Sequence, residues 1–67
     1  MKTVSYTYVT GTRIELLAEL RRLAEGWEHL GKPLKVAEAL TGITALTSGA
    51  DTVDVGHSLY KVTEPTL

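Results

Sequence analysis

The longest hydrophobic pattern in the chain repeats with the period of an α-helix. Leucines and the single tryptophan recur at alternating spacings of four and three residues, which places them on one helical face; this stripe consists of Leu16, Leu20, Leu23, Trp27 and Leu30. The segment from Thr12 to Glu15 reads TRIE, the pattern of a capping box at a helix start. Gly31 is typical of the left-handed residue that follows a helix end. The pattern therefore predicts a long first helix between these signals.

A second, shorter helix is predicted directly after the first. Pro33 suits the first turn of a helix, and the segment PLKVAEAL that it opens continues to Gly42, which we interpret as the helix end. Residues 43–50 are interpreted as a connection, with one extra helical turn as the alternative. Ile43 and Leu46 are expected to dip into the core from this connection.

The N-terminal residues alternate between apolar and polar side chains with the period of a β-strand. Over residues 3–10, Val4, Tyr6 and Tyr8 fall on one side, and threonine and serine fall on the other. This alternation predicts a strand that is half buried, with the tyrosines towards the core.

The C-terminal part of the chain predicts a β-hairpin over residues 51–63. Gly56 and His57 form its turn, with glycine first, as a type II′ turn requires. If these two residues are the whole loop, the cross-strand register is fixed. The apolar side of the hairpin then consists of Val53, Val55, Tyr60 and Val62.

The order strand, helix, helix and hairpin predicts an α+β domain. Its simplest form is a three-stranded antiparallel sheet, built from the N-terminal strand and the C-terminal hairpin and covered by one long and one short helix. Residues 1–63 are expected to form this single domain, and residues 64–67 a flexible C-terminal tail.

Composition narrows the classes of function. The chain has 67 residues and a net charge of −1, which is unlike the basic footprint of most nucleic-acid-binding proteins. It has no cysteine, so disulfides and thiolate chemistry are excluded. No stretch approaches the length of an apolar membrane span. We therefore expect a cytoplasmic protein.

The residues that could carry catalysis or bind metal do not form a convincing set. Asp51 and Asp54 fall on opposite faces of a strand, so they would not converge on one ion with His57. Ser58 is adjacent to His57 and would point away from it, which does not give a catalytic triad. We expect no catalytic residues, no cofactor and no metal.

The breadth of the apolar surface on the first helix favours a binding function. The stripe from Leu16 to Leu30 is flanked by further apolar residues, and the second helix adds more, so the apolar arc is wider than one contact requires. We expect a non-catalytic protein-binding module that associates with another protein or with a second copy of itself through this stripe. A compact binding module of this kind would suit a small phage or mobile-element protein that inhibits or modulates a host protein.

The alternative is a small DNA-binding regulator, because helices followed by a hairpin resemble a winged-helix arrangement. Few cations are available to neutralise phosphates on one side of the chain. The residues that would do so are Arg21, Arg22, Lys32, Lys35 and Lys61.

Overall fold

The chain folds into two helices and three strands in the order β-α-α-β-β. The computed structural model describes residues 7–63, so the predictions for Val4, Tyr6 and the 64–67 tail lie outside the described residues. The elements are β1 (Thr7–Gly11), α1 (Arg13–His29), α2 (Pro33–Thr47), β2 (Thr52–Val55) and β3 (Ser58–Val62).

The sheet is mixed, which corrects the prediction of a wholly antiparallel sheet. The strand order is β1-β3-β2; β2 and β3 form the antiparallel hairpin, and β1 runs parallel to β3. The reason is the number of chain reversals. Each short connection turns the chain back, so β1, α1, α2, β2 and β3 alternate in direction. Four reversals separate β1 from β3, and an even number makes them parallel.

The helices pack against one face of the sheet and enclose the core between the two layers. α2 contacts β2, which follows it directly, and α1 contacts β1 and β3. Because α1 lies beside α2, the strand that leads into α1 is placed next to β3. The buried core residues are Leu16, Leu20, Ala24, Ala39, Leu46, Val53, Val55 and Tyr60.

The core-facing side of β1 differs from the predicted one. Val9 aligns with the buried Tyr60 and packs against the core, whereas Tyr8 aligns with Leu59 and is 69% exposed. Alternation along a strand allows only one of two neighbouring residues to face inwards. The prediction that Tyr8 faces the core is therefore wrong, because the register with β3 selects Val9.

The predicted hairpin register is confirmed. Val53 pairs with Tyr60, and Val55 pairs with Ser58. Gly56 has φ +64°, and no residue other than glycine has a positive φ within the part of the chain described. A positive φ at the first turn residue alone is the type II′ pattern.

Both predicted ends of α1 are confirmed. The Thr12 hydroxyl accepts from the Glu15 amide at 3.2 Å, and the Glu15 carboxylate accepts from the Thr12 amide at 2.9 Å. Gly31 follows the helix with φ +68°. The Lys32 amide then bonds back to the Trp27 carbonyl at 2.9 Å, which completes a Schellman motif.

The helix α2 is longer than predicted because Gly42 does not end it. A Cβ atom at Gly42 would lie 2.8 Å from Val55 Cγ2 and 3.4 Å from Leu20 Cδ1. The glycine therefore permits a close approach between α2 and the sheet. The helix continues to Thr47, with Ser48 as its C-cap. Gly49 follows in a left-handed conformation, with φ +112°.

The side chain of Arg13 ties the start of α1 to the end of α2. Its guanidinium donates to the carbonyls of Leu46 and Ala50, each at 2.7 Å, and to the Asp51 carboxylate at 2.9 Å. Carbonyls at a helix C-terminus lack partners within the helix, and a cation there is favourable. Arg13 therefore fixes α2 and the entry into β2 against α1.

Replacing Gly42 by alanine tests the close approach. The added Cβ overlaps a stiff, buried valine, so Gly42→Ala is expected to lower the free energy of unfolding by about 1–3 kcal/mol. Gly26 is the matched control, because it lies in α1 with open space around its Cβ position. Gly26→Ala should raise that free energy by about 1 kcal/mol. Urea denaturation measures both, and a stabilising Gly42→Ala would contradict the packing.

Replacing Arg13 by methionine tests the tie between the helices. Methionine keeps an unbranched, apolar side-chain stem but cannot form the charge-assisted hydrogen bonds of Arg13. The substitution should therefore lower the free energy of unfolding by about 1–3 kcal/mol. Arg22 is the control, because it pairs with Glu19 at 2.9 Å on an exposed surface. Arg22→Met should cost less than about 0.5 kcal/mol. Equal losses in thermal denaturation would refute a special role for Arg13.

The capping box predicts a dependence of stability on pH. Hydrogen bonds from the Thr12 amide and hydroxyl lower the pKa of Glu15 from 4.5. The carboxylate therefore stabilises the folded chain above this value, and its contribution disappears as the pH falls through the lowered pKa. Glu15→Gln should flatten the slope of unfolding free energy against pH below 4.5. An unchanged slope would show that the carboxylate is not engaged.

Candidate protein-binding surface

The predicted interface stripe on α1 divides into buried and exposed parts. Leu16 and Leu20 are enclosed by the chain's own core. Leu23 and Trp27 are half-buried and pack against that core, and Leu30 is 68% exposed at the helix end. An interface on this chain would therefore have to use Leu30 and other residues rather than the centre of the stripe.

The second helix presents an exposed face that has no charged residue. Leu34 is 85% exposed and Leu40 is 52% exposed. Ala37 is also exposed and lies three residues from each, so the three side chains follow one another on the same helical face. The exposed residues of α2 are Pro33, Leu34, Ala37, Leu40, Thr41, Thr44 and Thr47.

Both charged residues of α2 are engaged inside the protein. The Lys35 ammonium lies 6.0 Å from the centroid of the Trp27 ring, at the distance of a cation–π contact. Glu38 accepts a hydrogen bond from the Gly56 amide and so holds the hairpin turn. The charges of this helix are therefore used in contacts within the protein, and its outer face, which carries leucine, alanine and threonine, has no charge.

A groove of about 300 Å³ opens at the turn between the helices, and Leu40 is one of its lining residues. We call the exposed Leu30, Leu34 and Leu40, together with this groove, the helix-turn patch. Its volume is at the lower end of the range for ligand pockets and would accommodate a bulky apolar side chain. The groove is lined by Glu28, Gly31, Lys32, Pro33, Val36, Ala37 and Leu40.

The turn that carries the patch is constrained by its glycine, its proline and a contact between the helices. Gly31 adopts a positive φ and closes α1, and Pro33 fixes the backbone at the start of α2. The Lys35 contact with Trp27 spans the two helices. A surface held in this way loses little conformational entropy when it binds.

The one core residue with a titratable side chain among the described residues, Tyr60, lies away from the patch. Burial raises the pKa of the Tyr60 hydroxyl, and the negative charge of Glu19 adds to this effect. Tyr60 lies in the core between sheet and helices, away from the groove. Within residues 7–63, no three His, Cys, Asp or Glu side chains are placed to hold a metal ion.

The cations named for the nucleic-acid alternative are dispersed. Arg22 pairs with Glu19, and Lys35 is half-buried against Trp27. Lys61 follows the core-facing Tyr60 on β3, so it lies on the sheet face opposite the helices. Arg21 and Lys32 are exposed, on α1 and at the helix turn respectively. The five positions do not form one basic patch.

Comparisons with protein-family models, with curated proteins and with solved structures gave no match. Neither helix in the described part of the chain has the length and hydrophobicity needed to cross a membrane.

Sequence reasoning found part of the patch. It named Leu30 in the stripe of the first helix and expected further apolar residues on the second helix, but it did not single out Leu34. The available signal was the spacing of Leu34, Ala37 and Leu40 at three-residue intervals without an intervening charge on that face. Reading it required knowing that Lys35 and Glu38 turn inwards.

Proposed function

We propose that this chain is a non-catalytic protein-binding module that acts through the helix-turn patch. The observation that carries the proposal is the exposure of Leu34 and Leu40 on a helix face without charge. The solvated side of a surface helix normally carries charged and polar residues. Contiguous exposed apolar surface with a polar rim is typical of interaction sites.

The energetics of the patch suit recognition of another protein. Burying a leucine side chain contributes about 1.5–3 kcal/mol, so a partner that covers the exposed leucines gains several kcal/mol. Glu28 and Lys32 line the groove and provide one charge of each sign at its edge. Charges at a rim contribute mainly to orientation and specificity.

The partner that fits is a protein segment with a bulky apolar side chain for the groove and a polar surround. Binding would modulate that partner by occupying its surface, without chemistry on it. The biological role would be inhibition or modulation of a host protein, which would suit a small phage or mobile-element protein. The proposed binding surface lies at the turn between the helices and not at the centre of the α1 stripe, where the leucines are buried or half-buried.

The test is affinity capture from lysate of the native source, comparing the wild-type chain with Leu34→Arg. Introducing a charge at an exposed leucine of the patch should weaken binding at least about tenfold, because the complex would bury an unpaired charge. Ile14→Arg is the matched control, since Ile14 is 78% exposed and lies in the first turn of α1, outside the helix-turn patch. Both changes leave the core untouched.

The expected result is a captured protein that is lost with Leu34→Arg and retained with Ile14→Arg, with an affinity that changes little with salt. A captured protein that ignores both substitutions would contradict the patch. Capture of nucleic acid, with an affinity that falls steeply with log salt, would instead favour the DNA-binding alternative.

A further inference from the structure

The outer edge of β1 has an unpaired set of backbone groups. β1 is an edge strand in the order β1-β3-β2, and within residues 7–63 no strand pairs with its outer side. Alternate residues of a parallel strand direct both N–H and C=O to the same neighbour. Thr7 donates to the His57 carbonyl at 3.1 Å, and the Gly11 carbonyl accepts from Thr63 at 2.8 Å.

The direction of every backbone group in β1 follows from these two bonds. Thr7, Val9 and Gly11 bond to β3. Tyr8 and Thr10 therefore direct their N–H and C=O groups to the outer edge. Each copy of the strand thus offers two donors and two acceptors along this edge.

The two edges of the sheet differ in how they discourage pairing. Natural edge strands avoid association through charged side chains, proline, bulges or short length. β2 has four residues and carries Asp54, with Asp51 just before it. The segment from Thr3 to Thr12, by contrast, contains no charged residue and no proline. The residues of β1 itself, Thr7–Gly11, therefore present neither a charge nor a proline to a second strand.

We infer that β1 pairs antiparallel with β1 of a second copy, across a two-fold axis at Val9. In this register Tyr8 lies opposite Thr10 of the second copy, and Val9 lies opposite its own equivalent. Tyr8 and Thr10 both point outwards, so they form hydrogen-bonded pairs of an antiparallel ladder. All outward donors and acceptors of Tyr8 and Thr10 are satisfied at once.

The side chains agree with this self-pairing. A two-fold interface brings each surface against itself, so charges on it would meet their own sign. The five residues of β1 carry no charge that would repel their copies. Tyr8, which is 69% exposed on the open sheet face, gains a neighbouring strand to pack on. The result is a continuous six-stranded sheet formed by two copies, and it uses a different surface from the helix-turn patch.

The experiment is sedimentation equilibrium of the full chain at micromolar concentration, with Thr10→Pro and Thr10→Val. Proline removes the outward N–H of Thr10 without removing a bond to β3. It deletes the Thr10 donor in both copies, so the dimer dissociation constant should rise at least about 100-fold. Thr10→Val keeps the N–H and should remain dimeric. Circular dichroism confirms that the variants are folded.

Amide hydrogen exchange of the wild-type chain provides a test that needs no variant. The amides of Tyr8 and Thr10 should become protected as the concentration rises, whereas those of Val9 and Gly11 should be protected throughout.

A wild-type chain that is monomeric at these concentrations would overturn the inference. A dimer that survives Thr10→Pro but is broken by Leu34→Arg would also overturn it, because self-association would then use the helix-turn patch. Rapid exchange at Tyr8 and Thr10 under all conditions would do the same.

Discussion

The fold depends on one close contact, where α2 crosses β2 at Gly42. Glycine at this position lets the helix backbone approach Val55, and the same point is in reach of Leu20 on α1. Both helices and the sheet therefore come together at this point, and Leu20 and Val55 are almost fully buried around it. A side chain at position 42 would push α2 away from Val55 and strain the packing of this core. The position of α2 against β2 at this contact determines how the remaining elements pack.

The position of α2 on β2 also determines which surfaces remain exposed. With α2 over β2 and α1 beside it, β1 lies next to β3 and becomes an edge strand. The inward faces of both helices are used by the core. Lys35 and Glu38 make contacts within the chain, and the outer face of α2 is left without a charge. The helix-turn patch and the β1 edge are thus consequences of the same arrangement, and they support separate proposals.

The features that the sequence predicted are those with local causes. The capping box at Thr12, the positive φ of Gly31 and the hairpin turn at Gly56 each depend on a few neighbouring residues. The apolar alternation that fixes the hairpin register is also local. The leucine stripe of α1 predicted the helix. The pattern alone could not show that Leu16 is buried and Leu30 exposed, because the burial of each leucine depends on where the other elements lie.

The features that were missed depend on contacts distant in sequence. Gly42 resembles a helix-ending glycine until Val55 is known to lie beneath it. Tyr8 rather than Val9 was expected inside, because the partner strand and its register were unknown. Arg13 gave no sign that it would reach carbonyls more than thirty residues away. The direction of β1 was deducible from the number of chain reversals, and assuming the simplest antiparallel sheet overlooked it.

The contact at Gly42 can be measured directly by nuclear Overhauser spectroscopy of the chain in solution. The account predicts cross-peaks from the Gly42 α-protons to the methyl groups of Val55 and Leu20, with helical chemical shifts on both sides of Gly42. A Gly42 with left-handed backbone shifts and no cross-peak to Val55 would show that the helix ends there. The arrangement of layers described above would then be contradicted.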